Sequence, residues 1–155
     1  MADALHFDVS KANVTGLEFG TVLLLSHPVH EYLARLGAMP YPFLRYHFEP
    51  GTLYYRTRAK EQPITCAFYD KILEAKKSGL SIPTGFESQN LLKYEIRFNR
   101  RLPKLLNVPE VKASTLTDKA FYKMLLRRWQ QVYFQTDRQA KIKTDIMCNI
   151  QTVSD

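Results

Sequence analysis

Long hydrophobic runs are missing from this sequence of 155 residues. Its apolar runs, such as Val22 to Leu25, are far shorter than the about 20 residues that a membrane-spanning helix needs. The first residues, Met1 to Leu5, lack the basic segment and the apolar segment of a secretory signal. We therefore expect a cytoplasmic protein that has no membrane partner.

Cysteine is also scarce, since the chain has only two. Cys66 and Cys148 lie far apart and belong to no recognisable spacing motif. This excludes a small domain that is held together by disulfides, and it excludes a zinc site, which needs three or four ligands at close spacing. Free thiols in a reducing compartment are expected.

Acidic residues are outnumbered by basic ones, with 15 Asp and Glu against 22 Lys and Arg and a net charge of +7. This excess indicates a binder of polyanions such as nucleic acid. The hydrophobic share of 45% and the charged share of 24% are ordinary for a globular chain. We expect one domain over residues 1–135, followed by a polar tail over 136–155 that is helical or flexible.

Alternating and β-forming segments predict a sheet. The clearest strand is Leu91–Phe98, where apolar residues alternate with Lys93, Glu95 and Arg97. Glu49-Pro50-Gly51 is a turn typical of a hairpin. The other predicted strands are Val14–Leu25, Phe43–Phe48, Thr52–Arg56 and Ile64–Tyr69.

Helical patterns lie between and after the strands. Val29–Leu36 has one apolar face, with Ser26 or His27 as its expected cap. The segment from Asp70 to Ser78 is charged, and its pattern is compatible with either a short helix or a loop. Arg100–Asn107 is expected to be a short helix. A last helix starts at Thr117-Asp118, and its apolar positions include Phe121, Leu125, Trp129 and Val132.

These elements predict an α+β fold, a mainly antiparallel sheet with helices packed on one face.

Three segments in order carry a family resemblance. They are Thr52-Leu-Tyr-Tyr55, Phe68-Tyr-Asp-Lys-Ile-Leu-Glu74 and Asn90-Leu-Leu-Lys-Tyr-Glu-Ile-Arg97. Together with Val14-Thr-Gly-Leu-Glu-Phe-Gly20, this order resembles the rolling-circle replication initiators of filamentous phages and plasmids. The resemblance covers roughly residues 14–134. It implies the C-terminal part of such an initiator or a shortened relative, because the upstream half of the family is absent.

The resemblance implies a DNA-nicking chemistry. Tyr54 takes the place of the family's nucleophilic tyrosine, which forms a phosphotyrosine and releases a 3′-hydroxyl. Its neighbour Tyr55 points to the opposite face of the strand. Glu18, Glu74 and Glu95 take the acidic positions, where they would hold Mg²⁺ or Mn²⁺.

The expected partner is DNA, either single-stranded or an origin hairpin, and a homo-oligomer is left open. A basic groove with interleaved aromatic residues suits such a strand. The predicted DNA-binding cations are Lys71, Lys93, Arg97, Arg100, Arg101 and Lys104.

The residues also allow simpler interpretations. Glu95, flanked by Lys93 and Arg97, is either a metal ligand or a salt-bridge partner on the solvated face of the sheet. Asp70 and Lys71 are compatible with a simple ion pair. For the whole chain, the alternatives are a non-catalytic DNA-binding or regulatory fragment, and a protein-interaction domain whose charge is incidental.

Overall fold

The computed structural model describes residues 8–39, 43–57 and 63–136, without the side chains of residues 45–49. Its centre is a sheet of five strands in the order β1-β5-β4-β3-β2, and every neighbouring pair is antiparallel. The strands are β1 (Leu17–Leu25), β2 (Phe43–Glu49), β3 (Thr52–Thr57), β4 (Ile64–Asp70) and β5 (Asn90–Phe98).

Four α-helices accompany the sheet within the described residues. They are α1 (Val29–Arg35), α2 (Lys71–Lys77), α3 (Leu102–Leu106) and α4 (Lys119–Gln135). Short 3₁₀ turns lie at Val9–Lys11 and Ala113–Thr117. The α+β class and the antiparallel sheet predicted from the sequence are confirmed. In the described part of the chain, no helix has the length and apolar character to cross a membrane.

One face of the sheet forms the core with α1 and α4. The rings of Phe68 on β4 and Tyr94 on β5 stack with centroids 4.3 Å apart. Trp129 of α4 lies against Tyr94, and its indole nitrogen donates to the Tyr94 carbonyl over 3.3 Å. The hydroxyls of Tyr32 in α1 and Tyr133 in α4 are hydrogen-bonded at 2.8 Å, which joins the two helices. We call this side of the sheet the core face.

Two details at the starts of predicted elements differ from the structure for local reasons. Strand β1 begins at Leu17 rather than at Val14, because the Val14 amide donates to the Val111 carbonyl, outside the sheet. Helix α1 has Pro28 as its N-cap, so the predicted cap by Ser26 or His27 is wrong.

The segment left open after β4 is a helix, because the Asp70 carboxylate accepts hydrogen bonds from the amides of Ile72 and Leu73 at 2.9 Å each. Asp70 therefore caps α2, and Lys71 pairs with Glu74 rather than with Asp70. Cys66 is a free, buried thiol. The predicted tail lies outside the described residues from 137 onward, as does Cys148.

Candidate functional site

The second face of the sheet carries the polar residues. Along one row of paired positions, Gly20 of β1 neighbours Glu95 of β5, which neighbours Ala67 of β4, which neighbours Tyr54 of β3. The next row places Glu18, Arg97, Thr65 and Arg56 side by side. We call these eight residues the polar face.

The polar face brings together residues that are distant in sequence. Tyr54, Glu18 and Glu95 lie on it together, whereas Glu74 lies on helix α2. Tyr55 lies on the core face, where it is buried and its hydroxyl donates to the Gly37 carbonyl over 2.6 Å. The predicted separation of the two adjacent tyrosines is confirmed.

Gly20 allows β1 and β5 to approach closely beside Glu95. A Cβ atom added at Gly20 would lie 2.5 Å from the Glu95 Cβ and 2.6 Å from its Cα. Ala67, the paired residue on the other side, is fully buried and small. Because Gly20 and Ala67 are small, longer side chains nearby can reach and cover the Glu95 carboxylate.

Arg97 connects two carboxylates on the polar face. Its Nη2 forms an ion pair with Glu95, and its Nε lies 3.1 Å from Oε2 of Glu18. The side chain of Glu95 is fully buried, whereas those of Arg97 and Glu18 are 37% and 50% exposed. Glu95 is therefore on the predicted face, but it is not solvated as that interpretation assumed, because its neighbours cover it.

Two further groups contact the buried carboxylate. The Tyr69 hydroxyl donates to Oε2 of Glu95 over 3.2 Å, and the Lys93 ammonium lies 4.0 Å from the same oxygen. Burial raises the pKa of Glu95, a hydrogen bond shared with the Glu18 carboxyl raises it further, and the charge of Arg97 opposes both effects. Burial and the Glu95 charge also raise the pKa of the Tyr69 phenol. Tyr69 is consequently held as a neutral hydrogen-bond donor.

A pocket of about 260 Å³ opens beside this cluster, between the polar face and α2. Tyr54 and Arg97 line it from the sheet, and Glu74 and Lys77 line it from the helix. Glu74 also pairs with Lys71, with Nζ and Oε2 2.6 Å apart. The predicted nucleophile thus shares one open pocket with a predicted acid and a predicted cation. The other lining residues are Gly51, Thr52, Tyr69, Asp70, Leu73 and Ser78.

The three predicted metal ligands do not form a metal cluster in the described structure. Among the described residues, no group of three or more His, Cys, Asp or Glu side chains is placed to hold a metal ion. Glu18 and Glu95 are near each other, but each is paired with Arg97, and Glu74 is paired with Lys71. This arrangement does not fit a resident divalent ion, because the positions next to both sheet carboxylates hold a guanidinium group.

The predicted DNA-binding cations fall into two groups. Lys71, Lys93 and Arg97 lie at or beside the polar face, and each has a carboxylate partner. Arg100, Arg101 and Lys104 follow β5 and are exposed in and before α3, whose Leu102 and Leu106 are buried in the core. Of these six predicted cations, only Arg97 lines the pocket, and Arg100, Arg101 and Lys104 are not among its lining residues.

Sequence reasoning missed Tyr69, Gly20 and Ala67 as parts of the site. Tyr69 is two residues beyond Ala67, so a period of two along β4 could have placed both on the polar face. Their position beside Glu95 depends on the pairing of β4 with β5 and of β1 with β5. No local signal in the sequence specifies that pairing.

Comparison of the chain with protein-family models, with curated proteins and with solved structures returns no match.

Proposed function

We propose that this chain is the DNA-binding and strand-cleaving domain of a rolling-circle replication initiator, with Tyr54 as its nucleophile. The observation that carries the proposal is the pocket in which Tyr54 faces Arg97 and Glu74. The proposal also takes support from Tyr55, whose burial leaves a single tyrosine of the Thr52–Tyr55 segment open to a substrate.

The proposed reaction is a transfer of a phosphoryl group to the phenol. The Tyr54 oxygen attacks the phosphorus of a phosphodiester, a phosphorus–oxygen bond to Tyr54 forms, and the bond to the 3′ oxygen breaks. The phenol loses its proton, and the released 3′ oxygen takes one up. In this proposal Arg97, which lines the same pocket, stabilises negative charge on the phosphate, as a guanidinium does in phosphoryl transfer.

Tyr69 is a weaker candidate for the nucleophile, although it lines the same pocket. Its hydroxyl is engaged by Glu95, and its raised pKa opposes formation of the phenolate. A phenol must lose its proton to attack phosphorus efficiently. The two tyrosines therefore have separate roles in the proposal, with Tyr54 reacting and Tyr69 holding Glu95 in place.

The proposed substrate is a DNA single strand or an origin hairpin. Aromatic rings beside cations suit a strand whose bases are unstacked, and the pocket offers Tyr54 and Tyr69 beside Arg97 and Lys77. Initiators of phages and plasmids act on DNA in the host cytoplasm, which is where we place this protein. A homo-oligomer remains a prediction, and measuring the molecular mass of the protein in solution tests it.

The test of the nucleophile is Tyr54→Phe, which removes one oxygen and keeps the ring. We expect cleavage of a supercoiled or single-stranded origin substrate, and the covalent DNA adduct, to be lost. Tyr122→Phe, at an exposed ring on α4, is the matched control, and we expect it to retain cleavage. Unchanged cleavage by Tyr54→Phe would refute the proposed nucleophile.

A divalent ion remains a prediction of the resemblance. If Mg²⁺ or Mn²⁺ takes part, chelation stops cleavage by the wild-type protein and either ion restores it. Cleavage that persists in a chelator would contradict the ion and leave Arg97 as the cation of the site.

A second candidate is a non-catalytic DNA-binding module. It is favoured by the ion pairs that hold Glu18, Glu95 and Arg97 together, since such a neutralised cluster can serve a purely structural purpose. This candidate predicts salt-sensitive DNA binding with no cleavage by the wild-type protein under any metal condition. Absence of DNA binding at low salt would contradict both candidates.

A further inference from the structure

A stripe of positive charge runs along the solvent side of α4, away from the site described above. Lys119, Lys123 and Arg127 follow one another at intervals of four residues, which places them on one face of the helix. Arg128 lies beside the end of this line. All four side chains are exposed. At 1.5 Å per residue, the line from Lys119 to Arg127 spans about 12 Å.

No carboxylate of the described structure neutralises this stripe. The helix contains no Asp or Glu between Lys119 and Gln135. The nearest acid along the chain is Asp118, whose carboxylate is engaged as the N-cap by the amides of Ala120 and Phe121. None of the ion pairs between described residues includes one of the four cations.

The stripe and the Tyr54 pocket lie on opposite sides of the domain. The apolar side of α4 packs on the core face, where Trp129 and Tyr94 exchange two hydrogen bonds. The stripe lies on the other side of the helix and faces outward, whereas Tyr54 lies on the polar face, beyond the sheet. A DNA segment bound at one site would therefore leave the other site accessible.

We propose that the α4 stripe binds the phosphate backbone of double-stranded DNA, independently of sequence. A row of exposed cations without a counter-charge is complementary to closely spaced phosphates. The groove beside Lys123, Arg127 and Arg128 is otherwise lined by Ala120, Met124 and Gln131, which offer no aromatic platform for the bases of a single strand. The exposed ring of Tyr122 lies outside this groove, against Phe19. An anionic membrane is disfavoured, because an interfacial helix needs a free apolar face and that of α4 is buried in the core.

The test replaces all four cations, as Lys119→Gln, Lys123→Gln, Arg127→Gln and Arg128→Gln. Binding to a labelled duplex of arbitrary sequence is measured at a series of salt concentrations. We expect weaker binding. We also expect the slope of log K against the logarithm of the salt concentration to become less negative by about 0.9 for each lost phosphate contact. The matched control exchanges the same residues while keeping the charge, as Lys119→Arg, Lys123→Arg, Arg127→Lys and Arg128→Lys, and we expect it to bind as the wild type does.

Three outcomes would overturn the proposal. The first is a neutralised variant that binds the duplex with wild-type affinity and salt dependence. The second is an equal loss of binding to duplex and to single strands, which would indicate a general effect of net charge. The third is a loss of binding to phosphatidylserine vesicles without a loss of duplex binding, which would assign the stripe to a membrane. Tyr54-dependent cleavage of a single strand is measured separately, so this proposal and the proposed nucleophile fail independently.

Discussion

A single buried carboxylate, Glu95, holds the polar face together. It accepts a hydrogen bond from Tyr69 of β4 and pairs with Arg97 of β5, and Arg97 also pairs with Glu18 of β1, so the cluster joins three strands. Removing one partner of a buried ion pair commonly lowers the free energy of unfolding by several kcal/mol, because the other charge stays buried without an opposite charge beside it. The side chain thus links the stability of the sheet to the geometry of the candidate site.

The raised pKa of Glu95 predicts a pH dependence of stability. The folded protein binds a proton at Glu95 more tightly than the unfolded chain does, so this group's contribution is complete at low pH and falls as pH rises from the usual glutamate value through the raised one. Glu95→Gln mimics the protonated form and removes the pH-dependent contribution of this side chain to the free energy of unfolding. We expect the wild type to lose unfolding free energy relative to Glu95→Gln as pH rises through that interval, measured by urea denaturation. A constant difference between the two proteins would contradict the raised pKa.

Two of the helices begin with an aspartate that caps them. Asp70 accepts from two amides at the start of α2, and Asp118 accepts from two amides at the start of α4. Helix α2 carries Glu74 and Lys77 into the pocket, whereas α4 carries the basic stripe. The caps therefore position the two surfaces that the proposals use.

Asp70→Ala tests the importance of the α2 cap. We expect a loss of roughly 1 kcal/mol of unfolding free energy, because two amides at the helix start lose their acceptor. Asp70→Asn keeps a side-chain acceptor and should lose less. Chemical denaturation followed by circular dichroism measures both variants, and equal stability of Asp70→Ala and the wild type would show that the cap contributes little.

At the scale of the whole molecule, one aromatic layer joins the sheet to the helices. Phe68 of β4 stacks on Tyr94 of β5, the tilted ring of Trp129 in α4 lies against Tyr94, and Tyr133 contacts both sheet rings. This layer is buried, so it supplies much of the apolar contact that fixes α4 against the sheet. The placement of the stripe opposite the polar face depends on this packing.

Trp129→Ala tests this layer. Truncation of a buried tryptophan leaves a large cavity and costs about 3–5 kcal/mol of unfolding free energy. Tyr122→Ala removes a half-exposed ring from the same helix and should cost much less. Urea denaturation followed by circular dichroism compares the two variants, and a similar small loss for both would contradict a central role of Trp129.

The sequence by itself determined the elements and their faces. Alternation along Leu91–Phe98 and the period of α4 are local patterns, so the burial of Tyr94 and Trp129 and the opposite orientations of Tyr54 and Tyr55 followed from counting residues. The nicking chemistry, the metal and the DNA partner came from the resemblance and remain predictions.

Only the tertiary structure decided which residues meet. Pairing of β1 with β5 brought Glu18 to Arg97, and pairing of β4 with β5 brought Tyr69 to Glu95. Neighbouring side chains then covered Glu95, which an alternating pattern alone would leave on a solvated face. The physical reason is that alternation selects a face of a strand, whereas the choice of neighbouring strand and its register depends on the packing of the whole core.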